Sequence, residues 1–86
     1  MTEPEIRQIL LEEIGNVAPE IDLARLRSDR DLREELDIDS IGFLNLVIAL
    51  GRRLGVEIAE RDYPRLRTLE SSLAFLAEIT GPRARA

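Results

Sequence analysis

The chain of 86 residues has room for one domain, and its formal net charge of −5 disfavours a phosphate backbone as partner. With no Cys and no His it has neither disulfides nor thiolate metal sites, and the commonest nucleophile–base pairs cannot be assembled, so an enzyme is not expected. All 12 basic residues are Arg, no apolar run is long enough to span a bilayer, and "MTEPEIRQ" lacks a signal peptide's basic and apolar regions, so a soluble cytoplasmic protein is expected.

The apolar inventory is mostly Leu and Ile, with only Phe43, Tyr63 and Phe75 aromatic, which suits packed helices better than strands. The first helix reads from about Pro4 to Ile14. Thr2 and Glu5 can form a capping box, Pro4 suits the first turn, and Gly15-Asn16 reads as the stop. Ile6, Ile9, Leu10 and Ile14 share one face, with Leu11 at its margin. Residues 16–39 form a long connection with apolar anchors at Val17, Ile21, Leu23, Leu26, Leu32 and Leu36. A connection of this length must pack down or serve a function, and a helical turn is expected within it. Its charge run, "RSDRDLREELDID", reads first as a solvated surface.

The second helix reads from Ser40 to about Leu54, stopped by Gly55. Phe43, Leu46, Val47, Leu50 and Leu54 make one stripe, and Ile41, Leu44 and Ile48 an adjoining one. A helix apolar around most of its circumference is expected at the centre. Pro64 makes the helix after "GVEI" short or irregular. The last helix starts at a Thr68 cap and turns Leu69, Leu73, Leu76 and Ile79 inward, with Phe75 at the stripe's edge. Gly81-Pro82 should end it, leaving a frayed tail over 81–86. The expected architecture is a single all-α bundle over about 3–80: three longer helices, one short helix and a long first connection.

In "ELDIDSIGFLNLVIAL" acidic residues crowd up to one serine before an apolar run. Asp39-Ser40 is an ordinary helix start, in which either side chain can satisfy an orphan amide for about 1 kcal/mol. Yet Ser40 stands where a long loop meets the most apolar helix, and a helix N-terminus favours an anion. The order helix, long loop, "DLREELDIDSI", apolar helix, "GVEI", short helix, "TLESSLAFL" resembles the acyl carrier proteins over essentially the whole chain, best from Leu32 to Leu69. The family's Asp-Ser-Leu/Ile motif, preceded by a leucine at Leu36, corresponds to Asp39-Ser40-Ile41. The resemblance implies a four-helix carrier fold whose Ser40 hydroxyl receives 4′-phosphopantetheine from coenzyme A. Asp39 matches the aspartate that helps ligate the transferase's Mg²⁺. The arm's thiol, which the chain lacks, would carry acyl groups as thioesters, and the chemistry would belong to partner enzymes. Those partners would be a phosphopantetheinyl transferase, an acyl-loading ligase or acyltransferase, and a ketosynthase or other acyl-processing enzyme, meeting a monomer through Leu36, Asp39, Ile41, Phe43, Leu44 and Glu57. Phe43, Val47, Leu50, Ile58, Tyr63 and Leu66 are candidate linings for a sheltered acyl chain, with Phe75 a further one; plain core is the alternative for each.

The chain departs from the family pattern in three places. Fatty-acid carriers follow the motif with acids, whereas the matching face here is Gly42, Asn45, Ala49 and Arg52, with Arg53 beside it. A basic docking patch would be repelled, so dedicated partners in a specialised lipid or polyketide-type pathway are expected. Recognition can shift to the flanking acids Glu34, Glu35, Asp37 and Asp39, and Glu57, Glu60 and Asp62, for which a solvated surface is an equal reading. Asp37 replaces the family's glycine, leaving the loop less free to take left-handed dihedrals. Tyr63 stands where the family often has a small residue near the cavity mouth: pointing inward it would favour short or polar cargo, and packed on the last helix it would be core. An aminoacyl or peptidyl carrier shares the fold, but such carriers usually show two glycines before the Asp/His-Ser, where this chain has Leu36-Asp37-Ile38-Asp39. An unmodified helical adaptor docking through Ile41, Phe43 and Leu44 is the alternative from another class.

Overall fold

The computed structural model describes residues 2–80. Helix α1 spans Glu3–Val17 and opens with the capping box: the Glu5 amide donates to the Thr2 hydroxyl at 3.4 Å, and the Thr2 amide to the Glu5 carboxylate at 2.7 Å. The helix does not stop at Gly15-Asn16. It runs to Val17, and the Ala18 amide donates to the Ile14 carbonyl at 2.9 Å. A glycine inside a helix costs about 1 kcal/mol, and burial of Ile14 and Ala18 on either side outweighs that preference.

The long connection is pinned by short elements capped by its own acids. Asp22 caps a 3₁₀ turn at Leu23–Arg25, and Asp31 caps the five-residue helix α2, Leu32–Leu36. Leu32 and Leu36 are buried as expected and Leu26 is half-buried, but Leu23 is 38 % exposed and lies outside the buried cluster. The charge run is only partly a solvated surface. The Glu35 carboxylate accepts from the Arg27 amide at 3.1 Å, and Asp31 pairs with Arg67 at 3.4 Å. Backbone bonds from Leu32 to the Arg67 carbonyl and from Glu70 to the Ser28 carbonyl tie the connection to the start of the last helix.

Helix α3 spans Ser40–Leu54, with Gly55 at φ 69° closing it. Leu46, Val47 and Leu50 are buried, but Ile41, Leu44 and Ile48 are 68 %, 41 % and 45 % exposed. The adjoining apolar stripe therefore faces outward, because α1 and the loops cover only one side of α3. The expected short or irregular helix is a 3₁₀ segment at Glu60–Leu66, with Pro64 inside it. Helix α4 spans Leu69–Thr80, and the Thr68 hydroxyl accepts from the Ser71 amide at 2.9 Å. Leu69 and Leu76 are buried, Leu73 and Ile79 half-buried, and Phe75 lies in the core instead of at the stripe's edge. The expected stop at Gly81-Pro82 and the tail lie outside the described residues. The helices α1, α3 and α4 share one buried cluster that includes Leu32, Leu36 and Leu66, and the described residues contain no strand. The architecture is all-α.

Candidate functional site: the serine at the head of helix α3

The turn from α2 into α3 decides where Ser40 points. Asp37 takes left-handed dihedrals, φ 52° and ψ 47°, and its amide donates to the Arg33 and Glu34 carbonyls. The Ile38 amide also reaches the Arg33 carbonyl, at 3.1 Å. This closure satisfies orphan carbonyls of α2 and reverses the chain within two residues. The aspartate has not kept the loop from the left-handed region; Asp and Asn are the side chains that tolerate it best after glycine.

Asp39 is the N-cap of α3, and its carboxylate accepts from the Gly42 amide at 2.8 Å. Ser40 is thereby freed from capping and sits as the first residue of the helix, with its side chain exposed. Gly42 has a physical reason to be small: a Cβ there would lie 3.1 Å from the Ile38 Cβ. Ile38 packs across the first turn of α3 in the space the missing side chain leaves.

Ser40 opens onto a groove of about 460 Å³. Phe43 and Leu44 of α3 form one wall, and Tyr63 and Pro64 of the 3₁₀ segment the other. The rings of Phe43 and Tyr63 meet edge to face, with centroids 6.0 Å apart. The rim carries both signs. The Arg33 guanidinium lies 5.9 Å from the Phe43 centroid, the Asp31–Arg67 pair stands nearby, and Glu60 adds a further carboxylate. Along the same side of α3 lies a second groove of about 450 Å³, lined by Val47, Ile58 and Glu57 among others, and Tyr63 borders it as well.

The structure therefore sorts the candidate residues. Phe43 and Tyr63 border the serine-side groove, while Val47, Ile58 and Tyr63 border the far one. Leu50 and Leu66 are buried at 1 % and 2 % exposure and line neither. Phe75 is also core, with the Arg65 guanidinium 4.8 Å from its ring centroid. Ile41 and Leu44 are free to meet a partner, whereas Leu36, 2 % exposed, holds α2 in place from inside. Arg53 does not belong to the outward face. It bridges Glu12 at 2.8 Å and Glu13 at 2.7 Å, clamping α3 to α1. Its hydrogen bond holds the Glu12 carboxyl below the usual glutamate range, and the same bond raises the Arg53 guanidinium further. None of the ion pairs among the described residues includes Arg52. The sequence pattern missed Arg33 and Arg67 at the groove. Arg33 stands in the mixed-charge run and Arg67 follows the 3₁₀ segment, and only the fold brings both to the groove beside Ser40.

Comparison with known proteins agrees with this geometry. A family model described as a phosphopantetheine attachment site matches residues 4–76. An acyl carrier protein of Myxococcus xanthus is 29% identical over 66 residues, covering 77% of this chain and 84% of that protein. Acyl carrier protein 2 of Pseudomonas aeruginosa is 36% identical over 53 residues, with 62% and 67% covered. Polyketide-8 synthase acyl carrier protein 2 of Streptomyces avermitilis is 29% identical over 62 residues, with 72% and 71% covered. The chain belongs to the acyl carrier protein family, whose cofactor is covalently attached 4′-phosphopantetheine.

Proposed function

We propose that this chain is a discrete acyl carrier whose Ser40 hydroxyl accepts the 4′-phosphopantetheine arm and which presents thioester cargo to partner enzymes. The observation that carries the reading is an exposed serine, relieved of capping by Asp39, at the first residue of α3 and on the lip of a groove. In the transfer, the Ser40 oxygen bonds to the phosphorus bearing the pantetheine. The pyrophosphate bond of coenzyme A breaks, adenosine 3′,5′-bisphosphate leaves, and the transferase takes the hydroxyl proton. The N-terminal dipole of α3 favours the resulting phosphodiester charge. When attached, the arm supplies the thiol that carries the acyl group. The chain's own residues supply a fixed anchor, a sheltering groove and an address, and the chain is not itself a catalyst. Asp39 keeps one carboxylate oxygen beyond its capping bond, which supports its role beside the transferase's Mg²⁺.

The address is apolar. Ile41, Leu44 and Ile48 form an exposed row on α3, and the neighbouring positions Gly42, Asn45 and Arg52 bring no acid. A partner with a complementary apolar patch gains from this face, while one with a basic patch does not. This supports service to dedicated loading and processing enzymes in a specialised lipid or polyketide-type pathway; the reading takes the carrier as a cytoplasmic monomer. The test is intact-mass measurement after incubation with coenzyme A and a promiscuous phosphopantetheinyl transferase. The wild-type chain gains one phosphopantetheine and Ser40→Ala gains none. An unchanged wild-type mass would point to an unmodified adaptor, and loading by an amino-acid-adenylating enzyme to an aminoacyl carrier.

A further inference from the structure

Two grooves of nearly equal size run along one side of α3, and a single side chain borders both. That side chain is Tyr63. It meets Phe43 edge to face at 6.0 Å, and none of the hydrogen bonds among the described residues uses its hydroxyl. Its backbone is stiff: Pro64 follows it, the Asp62 amide donates to the Ala59 carbonyl at 2.9 Å, and Leu66 anchors the segment in the core. Moving the ring aside would break the contact with Phe43 and shift a segment held at both ends. The far groove carries Val47 and Ile58 on its walls, so an alkyl chain would gain from entering it. The far groove also carries Arg52 and Glu57, and the serine-side groove has an apolar floor ringed by Arg33, Arg67, Asp31 and Glu60, so what separates the two is the Tyr63 ring rather than their polarity.

We propose that Tyr63 is a partition that confines thioester cargo to the serine-side groove, so that this carrier shelters short acyl groups bearing polar substituents and leaves longer alkyl chains in solvent. The proposal rests on attachment of the arm at Ser40. A short chain lies against Phe43, and its hydroxyl or carboxyl meets the mixed-charge rim. A longer chain meets the Tyr63 ring before it reaches Val47 and Ile58. The ring does this by its bulk, without its hydroxyl.

The test loads the full chain from 3-hydroxybutyryl- or octanoyl-coenzyme A with a promiscuous transferase, and intact mass reports the loading. Methyl resonances of Val47 and Ile58, which border only the far groove, report where the cargo sits. Hydroxylamine cleavage reports how well the thioester is sheltered. On the wild-type chain, 3-hydroxybutyryl cargo is cleaved several-fold more slowly than octanoyl, and neither moves Val47 or Ile58. On Tyr63→Ala, octanoyl shifts both residues and its cleavage slows several-fold, while Tyr63→Phe behaves as wild type. Should Tyr63→Ala lose its cooperative melt, Tyr63→Leu carries the same expectation. Octanoyl reaching Val47 and Ile58 on the wild-type chain overturns the partition, as does an octanoyl rate that is the same with and without the ring. Absence of any mass gain overturns attachment at Ser40 and the partition with it; normal loading with no selectivity overturns the partition alone.

Discussion

Asp37 shows how much one residue's dihedrals decide. The α2–α3 turn needs a left-handed residue at this position, and the chain fills it with an aspartate at φ 52°. Asp37→Gly removes the Cβ crowding of that region, which costs L-residues about 1–2 kcal/mol, against a loss of unfolded-state order of about 0.4–1 kcal/mol. The variant is expected to be stabilised by a fraction of a kcal/mol, read as a raised urea midpoint. A drop would show that the Asp37 side chain supports the turn. Ser72 makes a second case. It is 1 % exposed on α4, and its hydroxyl has no hydrogen-bond partner among the described residues. Burying such a hydroxyl costs about 1–3 kcal/mol on mutational scales, and alanine is also the better helix former. Ser72→Ala should raise the melting temperature by several degrees, on the scale of about 4–8 °C per kcal/mol for a domain this size.

At the scale of elements, α3 is fixed at both ends by contacts that a hydrophobic pattern does not encode. Its C-terminal closure brings the Val56 carbonyl within 2.9 Å of the point a Cβ on Gly51 would occupy. Gly51→Ala would normally gain about 1 kcal/mol of helix propensity, but the clash with backbone reverses the sign at an overpacking cost of about 1–3 kcal/mol. A lower midpoint in chemical denaturation is expected. The Arg53 bridge to Glu12 and Glu13 joins α3 to α1 and makes stability depend on pH. The hydrogen bond from Arg53 lowers the Glu12 carboxyl below its usual value of 4.5 in the folded state, so its contribution is present above about that pH. It is lost as pH falls through the lowered folded value. Denaturant midpoints should therefore decline below pH 4.5, and Arg53→Met should flatten that part of the profile. An unchanged slope would remove the bridge from the account.

Much of this was legible in the residues. The capping box at Thr2, the bounds of α3 and the Thr68 cap follow from local chemistry, and local chemistry is what a single sequence carries. The end of α1 was not legible, because tertiary burial of Ile14 and Ala18 overrides the helix-breaking signal of Gly15-Asn16. Nor could periodicity show that Ile41, Leu44 and Ile48 face outward. It marks which residues are apolar and leaves open which faces find a partner. The spacing of Arg53 on α3 is compatible with the docking face, yet its partners lie 40 and 41 residues away on α1.

Across the whole molecule, the placement of charge and apolar surface separates the anchor from the address. The net charge is −5, yet the outward face of α3 holds isoleucine, leucine, asparagine and an unbridged Arg52. A housekeeping ketosynthase that docks through a basic patch should turn over the loaded chain slowly, and Asn45→Glu with Arg52→Glu should raise that rate at low salt and lose the gain at high salt. Efficient turnover of the wild-type chain would contradict the dedicated-partner reading. Both substitutions are at exposed positions, where stability changes are usually within about 0.5 kcal/mol, so a folding defect would not mimic the result.

The central claim is that a prosthetic arm is grafted onto one particular oxygen, and peptide mapping tests it most directly. Trypsin cutting after Arg33 and Arg52 releases residues 34–52, a peptide in which Ser40 is the sole hydroxyl side chain. After treatment with coenzyme A and a transferase, that peptide should carry the whole added mass and all others none. Added mass on any other peptide, or on none, would contradict the account.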